Sequence, residues 1–590
     1  MQIAVKPRLS VAVSAFLLGG SVCLAQPLKP VAITPADCTA ARVGDAIPVA
    51  SIGEPVAGVQ LSAPVWNEAA GPAPANCSVD GEMLPVSKGP HAQSIKFRVM
   101  FPAVWQGFAI QFGGGGNNGV LPRLAGVPAG GGMTNALADG AATYGSDSGH
   151  NMADPTWSLD DESIKNLAYM QMKKTHDAAM VLIKRVYGAP PRYNYYAGTS
   201  QGGREALTVA QRYPADYDGI TANVPIVNFS ALMLAPVHMR IQEKALASWV
   251  SPLKGRAIVA EFMRQCDALD GRNDGVINNY QACRALFNTS GKAAKNPWAG
   301  KLCPGDVDPN PNDATEAACL TSAQAKTLEF DFSRFAFPRP YANGVTSFGM
   351  WAPTTALTAG GGPLPPPPGA QPRPAGGPIM NFGGGGILVA QRYKGQEGAA
   401  PDAPTFTHLG ILGSIGFVMQ DLDANALDLV EGGKYAARRL QISEWMDATN
   451  PDLSAFRKRG GKLLITIGTN DTVASSGAQL DFYQSVLDKM GRSTVDSFMR
   501  MWVIPQANHG LDARVYVIDG KGQKVEPREI PNQMDRVAAL RAWVERGIAP
   551  ARVERLTGKG GTMPLCSYPD YPRYTAGDPS QSAAYTCTAP

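Results

Sequence analysis

The segment from Tyr195 to Arg204 reads YYAGTSQGGR and places Ser200 among small residues. A serine hydroxyl is a poor nucleophile unless an imidazole removes its proton, and that imidazole needs a carboxylate to orient it. Ser200 is therefore either a nucleophile with such partners or only a hydroxyl in a glycine-rich turn. The first interpretation requires a base and an acid elsewhere in the chain.

The context of Ser200 favours a nucleophile more than the short pattern does. A strand is predicted over Tyr193 to Ala197, and a helix from near Gly203 to Pro214. Small residues allow a sharp turn between the two, which pushes the hydroxyl above the sheet and sets the helix N-terminus beneath it. That placement suits a group that faces a developing negative charge.

His509 is the candidate base. Three histidines follow residue 226, namely His238, His408 and His509, and His509 lies in a short loop after the strand predicted over Met501 to Ile504. An exposed loop histidine is the alternative interpretation. In α/β hydrolases the nucleophile comes first along the chain, then the acid, then the histidine.

Asp471 is the candidate acid. It lies four residues beyond the predicted strand Leu463 to Ile467, in a turn rich in small polar residues. A helix N-cap is the alternative, since aspartate is a common cap. Three groups, each just past a strand and in the required order, are hard to obtain by chance, so the sequence predicts acyl transfer through Ser200, Asp471 and His509.

Acyl transfer also needs N–H donors for the oxyanion. The backbone N–H of Gln201 is one candidate, and Gly115 or Gly116 in QFGGGGNNGV is the second. A flexible linker is the alternative for this glycine run, but the strand predicted over Phe108 to Phe112 argues against it. A phosphate-binding loop is excluded because the Gly-Lys-Ser/Thr ending is missing.

The segments that carry these groups follow the rhythm of an α/β protein. From Ser94 to Ile183, strand-like runs such as Ala141 to Tyr144 alternate with helix-like runs such as Asp161 to Tyr187, as a parallel sheet requires. The rhythm is lost after Pro225 and resumes at Gly461.

We therefore predict one α/β catalytic domain, residues 26–225 and 446–590, with an insertion over 226–445. The insertion contains GGGPLPPPPGAQPRPAGGP, which cannot build a packed element. It also contains Asp267, Asp270 and Asp274, whose spacing suits the hard oxygen ligands of Ca²⁺. A solvated acidic turn is the alternative, and a calcium ion in this insertion is expected to be structural.

Residues 1–25 have the three parts of a secretory signal peptide, with Lys6 and Arg8 before an apolar run that ends near Ala25. They predict a periplasmic or secreted protein with no membrane attachment after cleavage. A membrane anchor is the alternative, but the run is short for a spanning helix. Cleavage removes two positive charges from the formal +4, and the remaining charge of about +2 gives no electrostatic case for nucleic acid.

Eight cysteines remain after cleavage, and an even number in an exported chain indicates disulfides. Buried free thiols are the alternative. The cysteines suggest sequential pairing, although the sequence does not prove any connectivity. The pairs would be Cys38 with Cys77, Cys266 with Cys283, Cys303 with Cys319, and Cys566 with Cys587.

The motifs together resemble the tannase and feruloyl esterase family. They are GGGGNNG, SDSGH at Ser146 to His150, GTSQGGR, CDALDGRNDGVINNYQAC, Asp471 and His509. The resemblance implies an α/β-hydrolase core with a large lid inserted after the nucleophile helix. It also implies that the backbone carbonyls of Arg272 and Val276 complete the calcium shell.

The resemblance implies a small-molecule ester substrate with an aromatic acyl group, such as a gallate, a hydroxycinnamate or a terephthalate monoester. Candidate pocket walls in the lid are aromatic, although ordinary lid core is the favoured interpretation of each; they are Phe348, Trp351, Phe382, Phe406 and Phe417. A serine peptidase, an acyltransferase and a non-catalytic exported binding protein are the competing functions. The oligomeric state stays open.

The chain departs from the family pattern beside the triad. The family normally has a cysteine just before the nucleophile and another just after the histidine, joined by a disulfide. Here these positions are Thr199 and Gly510. We expect Thr199 and local hydrogen bonds to hold the two loops instead.

Overall fold

A large β-sheet of mixed strand direction organises the computed structural model, which describes residues 29–125, 135–242, 245–248, 250, 252–289, 295–349, 351–353, 412–424 and 426–590. Ten strands of the described chain form this sheet. From one edge to the other, nine of them follow in the order Met499–Ile504, Lys462–Gly468, Gly219–Asn223, Tyr193–Thr199, Phe108–Phe112, Ala142–Ser146, Ile95–Pro102, Asn76–Leu84 and Gly58–Leu61. The tenth, Val65–Asn67, pairs with Asn76–Leu84.

The sheet has a parallel and an antiparallel part. Neighbouring strands from Met499–Ile504 to Ala142–Ser146 run parallel, and those from Ala142–Ser146 to the far edge run antiparallel. Phe108–Phe112 is buried at every residue, whereas Ile95–Pro102 alternates buried with more exposed positions. Ile95–Pro102 pairs antiparallel with both of its neighbours, so the expectation of a parallel sheet is wrong for this strand. Its alternating burial fits this pairing, because antiparallel strands tolerate one partly solvated face.

The strand order brings two distant loops together. Ala142–Ser146 lies between Ile95–Pro102 and the earlier strand Phe108–Phe112. Phe108–Phe112 is thereby free to pair in parallel with Tyr193–Thr199 on its other side. Because parallel strands end at the same edge, the glycine run after the first strand meets Ser200 after the second.

Helices cover both faces of the parallel part. Tyr195 and Tyr196, which are neighbours on one strand, are both buried but belong to two different apolar clusters. The described helices of eight or more residues are Gln171–Tyr187, Gln201–Arg212, Phe229–Gln242, Gly255–Cys266, Tyr280–Phe287, Ser322–Phe332, Ala436–Met446, Ser476–Met490 and Arg536–Arg546. Shorter helices are Ala40–Val43, Asp161–Lys165, Ser454–Lys458 and Arg492–Asp496, and Asp161–Lys165 continues through a π-helical turn into Gln171–Tyr187.

Five two-stranded sheets lie outside the large sheet in the described residues. They pair Val31–Ala32 with Val104–Trp105, Arg334–Ala336 with Ser347–Gly349, Ala513–Arg514 with Glu529–Ile530, Val553–Gly558 with Gly561–Cys566, and Tyr571–Tyr574 with Tyr585–Thr588. The last two pairs belong to the C-terminal region beside the sheet edge, where Ser567 bridges Trp502.

The described part of the inserted segment contributes helices and one two-stranded sheet, but no strand of the large sheet. Within the described residues, no strand between Asn223 and Lys462 joins the large sheet. This agrees with the loss of α/β rhythm after Pro225, but the extent of a lid domain over 226–445 stays a prediction. The signal peptide predicted over 1–25 and the proline-rich stretch 360–378 lie outside the described residues.

Four disulfides join the eight described cysteines in the predicted sequential order, Cys38–Cys77, Cys266–Cys283, Cys303–Cys319 and Cys566–Cys587. Closing a loop of this length stabilises a fold by about 3 kcal/mol in the chain-entropy account. In the part of the chain that the structure describes, no helix is both long and apolar enough to span a bilayer.

Candidate active site

Ser200 occupies a one-residue turn between strand Tyr193–Thr199 and helix Gln201–Arg212. Its φ of 64° and ψ of −122° lie outside the regions that non-glycine residues usually adopt. The helix therefore starts directly after Ser200, earlier than the predicted start near Gly203. Strain of this kind persists only where neighbouring structure enforces it.

Three glycines enforce the turn because no side chain fits at their positions. A Cβ atom at Gly198 would lie 1.9 Å from the carbonyl oxygen of Gly202, and one at Gly202 would lie 2.8 Å from that of Gly114. A Cβ atom at Gly203 would lie 2.7 Å from the carbonyl oxygen of Asn223. The strand, the helix and the glycine run after Phe112 therefore approach each other backbone to backbone.

The structure brings the three predicted triad side chains into one hydrogen-bonded line. His509 Nε2 lies 2.8 Å from Ser200 Oγ, and His509 Nδ1 lies 2.9 Å from each carboxylate oxygen of Asp471. The carboxylate contact favours the tautomer that carries its proton on Nδ1. Nε2 is then the acceptor for the Ser200 hydroxyl proton.

Backbone hydrogen bonds fix the orientation of the Asp471 side chain independently of its contact with His509. Its side chain is fully buried, and Oδ1 accepts the N–H groups of Val473 at 2.7 Å and Ala474 at 2.9 Å. The alternative of a helix N-cap is wrong for Asp471, because the following helix, Ser476–Met490, is capped by Ser475. The Asp471 carboxylate faces His509 instead. Burial lowers the pKa of His509, but the charge and hydrogen bond of Asp471 raise it by more, so the net pKa lies above the usual value.

Local hydrogen bonds organise the loop around His509. Asn508 Oδ1 accepts the N–H of Gly510 at 2.8 Å and that of Asp512 at 3.1 Å, and Asn508 N–H donates to the Asp512 carbonyl at 2.8 Å. Gly510 thus takes part in a closed turn. Thr199 has polar contacts of its own at the end of its strand.

The predicted oxyanion donors lie at the junction of the glycine run and the nucleophile helix. Gly202 N–H donates to the Gly114 carbonyl at 2.9 Å, which fixes the run against the first turn of the helix. Among the described residues, no acceptor takes the N–H groups of Gln201, Gly115 or Gly116. These donors are thus available to a ligand oxygen.

Glu205 is a site residue that the sequence interpretation missed. It is fully buried beneath the glycine run and accepts four hydrogen bonds, from the Gly114 N–H at 3.0 Å, Asn118 Nδ2 at 2.5 Å, Gln171 Nε2 at 3.2 Å and the Tyr196 hydroxyl at 2.9 Å. Burial raises its pKa against the influence of Arg204 and these donors. The only sequence signal was a charged residue on a helix face that packs on the sheet.

The acidic loop places two carboxylates in the interior. Asp267 and Asp270 are at most 1 % exposed. Within the described residues they accept only backbone N–H groups, those of Gly275 and Gly520 for Asp267 and those of Arg272 and Asn278 for Asp270. Burial raises their pKa values to about 6 and about 7, respectively. No cationic side chain of the described chain lies within 4.0 Å of either carboxylate.

The other predicted calcium ligands, Asp274 and the carbonyls of Arg272 and Val276, differ in whether the chain already supplies them with a partner. Asp274 forms ion pairs with Arg272 at 3.1 Å and Arg528 at 3.0 Å, and the three aspartates do not place one oxygen each within 4.8 Å of the others. No described N–H donates to the carbonyls of Arg272 or Val276. Two buried carboxylates without a cationic partner in the described chain, and two carbonyl oxygens without a described N–H donor, form a donor set that fits a hard divalent cation.

Two other groups of possible metal ligands have a different explanation. Cys303 and Cys319, near Asp308, are joined in a disulfide. In the second group, Asp177 and Asp216 pair with the ammonium of Lys173 at 2.8 Å and 3.0 Å, and His176 Nδ1 lies 2.8 Å from Asp177 Oδ1. Both groups are therefore already satisfied by the chain.

The predicted aromatic walls are partly within the described residues. Phe348 and Trp351 pack edge to face at 5.6 Å, and Phe417 lies 5.4 Å from Trp157. Phe348, Trp351 and Phe417 are at most 2 % exposed and join the main apolar cluster, which fits the interpretation as core. Phe382 and Phe406 lie outside the described residues, as does His408.

His238, the remaining alternative base, lies in the inserted segment away from the triad partners. Its Nε2 is 3.4 Å from Glu431, and its ring stacks on Phe335 at 4.7 Å. Glu431 also pairs with Arg439 at 3.3 Å. His238 therefore belongs to a charged cluster inside the insertion.

Comparison with known proteins gives consistent relatives. A family model described as tannase and feruloyl esterase matches residues 77–588. An uncharacterised esterase of Agrobacterium fabrum is 31 % identical over 567 residues, covering 93 % of this chain and 92 % of the relative. The mono(2-hydroxyethyl) terephthalate hydrolase of Piscinibacter sakaiensis is 28 % identical over 593 residues, covering 91 % and 89 %.

Solved structures show the same fold. Feruloyl esterase B from Aspergillus oryzae has a TM-score of 0.66 at 24 % identity and covers 94 % of this chain and 99 % of its own. Tannin acyl hydrolase from Aspergillus niger has a TM-score of 0.62 at 18 % identity and covers 96 % and 97 %. The strand order, the site and these matches agree: the chain belongs to the tannase and feruloyl esterase family, has an α/β-hydrolase fold and is a carboxylic ester hydrolase.

Proposed function

We propose that this chain is an exported serine esterase that hydrolyses esters of aromatic carboxylic acids through an acyl-enzyme on Ser200. One observation carries the proposal. The Ser200 hydroxyl, the His509 imidazole and the Asp471 carboxylate stand in a line of contacts of 2.8 and 2.9 Å, with Ser200 at the N-terminus of a helix.

Acylation follows from these contacts. His509 Nε2 takes the Ser200 proton while Oγ forms a bond to the ester carbonyl carbon, and Asp471 stabilises the imidazolium that results. The carbonyl oxygen becomes negative and faces the N–H groups of Gln201 and of Gly115 or Gly116. When the tetrahedral intermediate collapses, the bond to the alcohol oxygen breaks, and His509 donates its proton to the leaving alkoxide.

Deacylation repeats the same proton path with water. His509 removes a proton from water, the hydroxide oxygen bonds to the acyl carbon, and the Ser200–acyl bond breaks. His509 then returns its proton to Ser200 Oγ, and the free carboxylic acid leaves. The raised pKa of His509 suits a group that must both accept and donate in one cycle.

An aromatic acyl group is the proposed substrate class. Its support is the family itself and the names of two relatives, a mono(2-hydroxyethyl) terephthalate hydrolase and a feruloyl esterase B. Phe348 and Phe417 of the insertion are buried in the same apolar cluster as residues of the large sheet, such as Tyr195 and Ile110.

We include a structural calcium ion in the proposal. Asp267, Asp270 and Asp274, with the carbonyls of Arg272 and Val276, would hold it. When bound, the ion neutralises the buried carboxylates. No catalytic step is assigned to it.

Export is proposed from the predicted signal peptide and the four disulfides. Disulfides persist in the periplasm and outside the cell but are rare in the cytosol. N-terminal sequencing of the protein recovered from the periplasm or medium tests this point, and we expect residue 26 to be the first. A cytoplasmic protein that retains residues 1–25 would contradict it.

The decisive experiment measures hydrolysis by the purified protein of a panel of aromatic methyl, glycolyl and galloyl esters beside aliphatic esters and peptide substrates. Aromatic esters are expected to give the highest kcat/KM, and Ser200→Ala is expected to be inactive. Transfer of the acyl group to an added alcohol in preference to water would favour an acyltransferase. Failure of a fluorophosphonate probe to label Ser200 would overturn the acyl-enzyme mechanism.

A further inference from the structure

Gln506 lies in the turn that leads to His509 and is 2 % exposed. Its φ of 53° lies in the left-handed region, which a glutamine adopts only with support from its neighbours. Its N–H donates to Thr469 Oγ1 at 2.7 Å, on the loop that carries Asp471. This turn therefore holds the histidine loop against the loop of the acid.

The Gln506 side chain joins this turn to the acidic loop. Nε2 donates to the carbonyl of Gly275 at 2.8 Å and to that of Arg514 at 3.0 Å, while Oε1 accepts the N–H of Ile277 at 2.9 Å. An amide provides both N–H donors and a carbonyl acceptor, whereas a carboxylate provides acceptors only. The contact therefore distinguishes glutamine from glutamate.

The same backbone stretch is bonded to both buried acids. Gly275 N–H donates to Asp267 Oδ1 at 3.1 Å, and Asn278 N–H donates to Asp270 Oδ2 at 2.9 Å. Val276, whose carbonyl is a proposed calcium ligand, lies between the two residues that Gln506 holds. A cation that draws in these oxygens therefore acts on the segment to which the histidine loop is attached.

We infer that Gln506 is a positioning residue that couples cation binding at the acidic loop to the placement of His509. This inference rests on the proposed function and on the proposed calcium site. Gln506 would supply a connection between the histidine loop and the rest of the molecule in a chain that has Thr199 and Gly510 instead of a cysteine pair. Coupling between two sites is reciprocal, so calcium favours the productive histidine loop and Gln506 favours calcium binding.

The test compares wild type, Gln506→Ala and Gln506→Glu, each loaded with Ca²⁺ and each depleted of it by a chelator. The first measurement is the rate at which a fluorophosphonate probe labels Ser200. We expect Ca²⁺ to raise this rate about tenfold in wild type and less than about twofold in either variant, within the usual range of coupling between sites. Because the reacting groups move and the pocket does not, kcat should fall with little change in KM.

The second measurement is the Ca²⁺ dissociation constant from isothermal titration calorimetry. It should rise about tenfold in both Gln506 variants, which lose bonds that hold Gly275 and Ile277 on either side of Val276, within the usual range of coupling between sites. Gln211→Ala is the matched control, since the Gln211 amide also spans two backbone groups, donating to the Ala448 carbonyl at 2.9 Å and accepting the Asn450 N–H at 3.3 Å. This variant should keep the labelling rate and calcium response of wild type.

Three results would overturn the inference: wild type that binds no Ca²⁺, labelling of wild type that is independent of Ca²⁺, or Gln506 variants that lose thermal stability but keep the calcium response. If Gln506→Ala does not fold, Gln506→Glu, which conserves the shape of the side chain, carries the comparison. A wild-type protein that neither reacts with the probe nor hydrolyses any ester would instead overturn the proposed function.

Discussion

The loops that carry Ser200 and His509 are held in place by different forces. The Ser200 turn is fixed by backbone sterics, because Gly198, Gly202 and Gly203 leave no room for a side chain. The His509 loop is fixed by side-chain hydrogen bonds from residues such as Asn508 and Gln506. The nucleophile is therefore positioned by close packing of backbone segments, whereas the base depends on side-chain hydrogen bonds, of which those of Gln506 reach a distant part of the sequence.

The largest effects should come from the triad, where the two loops meet. Ser200→Ala should lower kcat/KM by about 10⁴-fold or more, because both the nucleophile and the acyl-enzyme are lost. Ester hydrolysis under pseudo-first-order conditions measures the loss. Activity within about tenfold of wild type would remove Ser200 from the mechanism.

Asp471→Asn should lower kcat by about 10³ to 10⁴-fold and also change the pH profile. Asp471 raises the pKa of His509, so in wild type the neutral base appears only above the usual histidine pKa of about 6.5. Removal of the charge lowers that pKa, and the acid limb of residual kcat/KM should move to lower pH. An acid limb that stays at the pH of wild type would show that Asp471 does not act on the titrating group.

One added methyl group in each loop tests whether the Ser200 turn is held by sterics and the His509 loop by hydrogen bonds. Gly198→Ala forces a Cβ to within 1.9 Å of the Gly202 carbonyl oxygen, so we expect a loss of stability of about 4 kcal/mol or more and a drop in kcat/KM of about 10²-fold. At Gly510 the nearest atom is Asn508 Oδ1 at 3.3 Å, and Gly510→Ala should change kcat/KM by less than about threefold. Denaturant unfolding and ester kinetics measure both, and equal effects would refute the contrast.

Glu205→Gln sharpens the comparison, because it changes charge with little change in shape beneath the glycine run. One acceptor oxygen is replaced by an NH₂ group facing donors such as the Gly114 N–H, so the oxyanion loop should loosen and kcat should fall about tenfold at nearly constant KM. Glu261→Gln is the control, since Glu261 is 3 % exposed and pairs with Arg264 in the insertion. If kcat falls equally in the two variants, Glu205 contributes only to the stability of the fold.

The smallest effect expected is the pH dependence of calcium stabilisation. Without the ion, Asp267 and Asp270 titrate at about 6 and about 7 in the fold, against about 4 in the unfolded chain. The folded state then holds more protons between these values, so its stability falls as pH rises from 4 to 7. Calcium neutralises the carboxylates, and the gain in Tm on adding it should be larger at pH 8 than at pH 5, as measured by calorimetry.

The sequence was most informative where structure depends on neighbours along the chain. The strand Phe108–Phe112 has its predicted bounds, and the turn at Ser200 follows from small residues within a few positions. The sequence was less informative about the direction of Ile95–Pro102, because strand direction is set by the pairing partners rather than by the strand itself. Glu205 was missed for a similar reason, since its four donors come from the glycine run, the strand Tyr193–Thr199 and the helix Gln171–Tyr187.

The sequence by itself determined the order of Ser200, Asp471 and His509 after successive strands, the glycines that permit the turn and the sequential cysteines. Local sterics and chain connectivity fix such features before distant parts of the chain meet. The tertiary structure alone decided that Glu205 lies beneath the glycine run and that Gln506 bonds a residue 231 positions earlier. Contacts over that distance depend on how whole elements pack, because a glutamine in a loop carries no local sign of its partner.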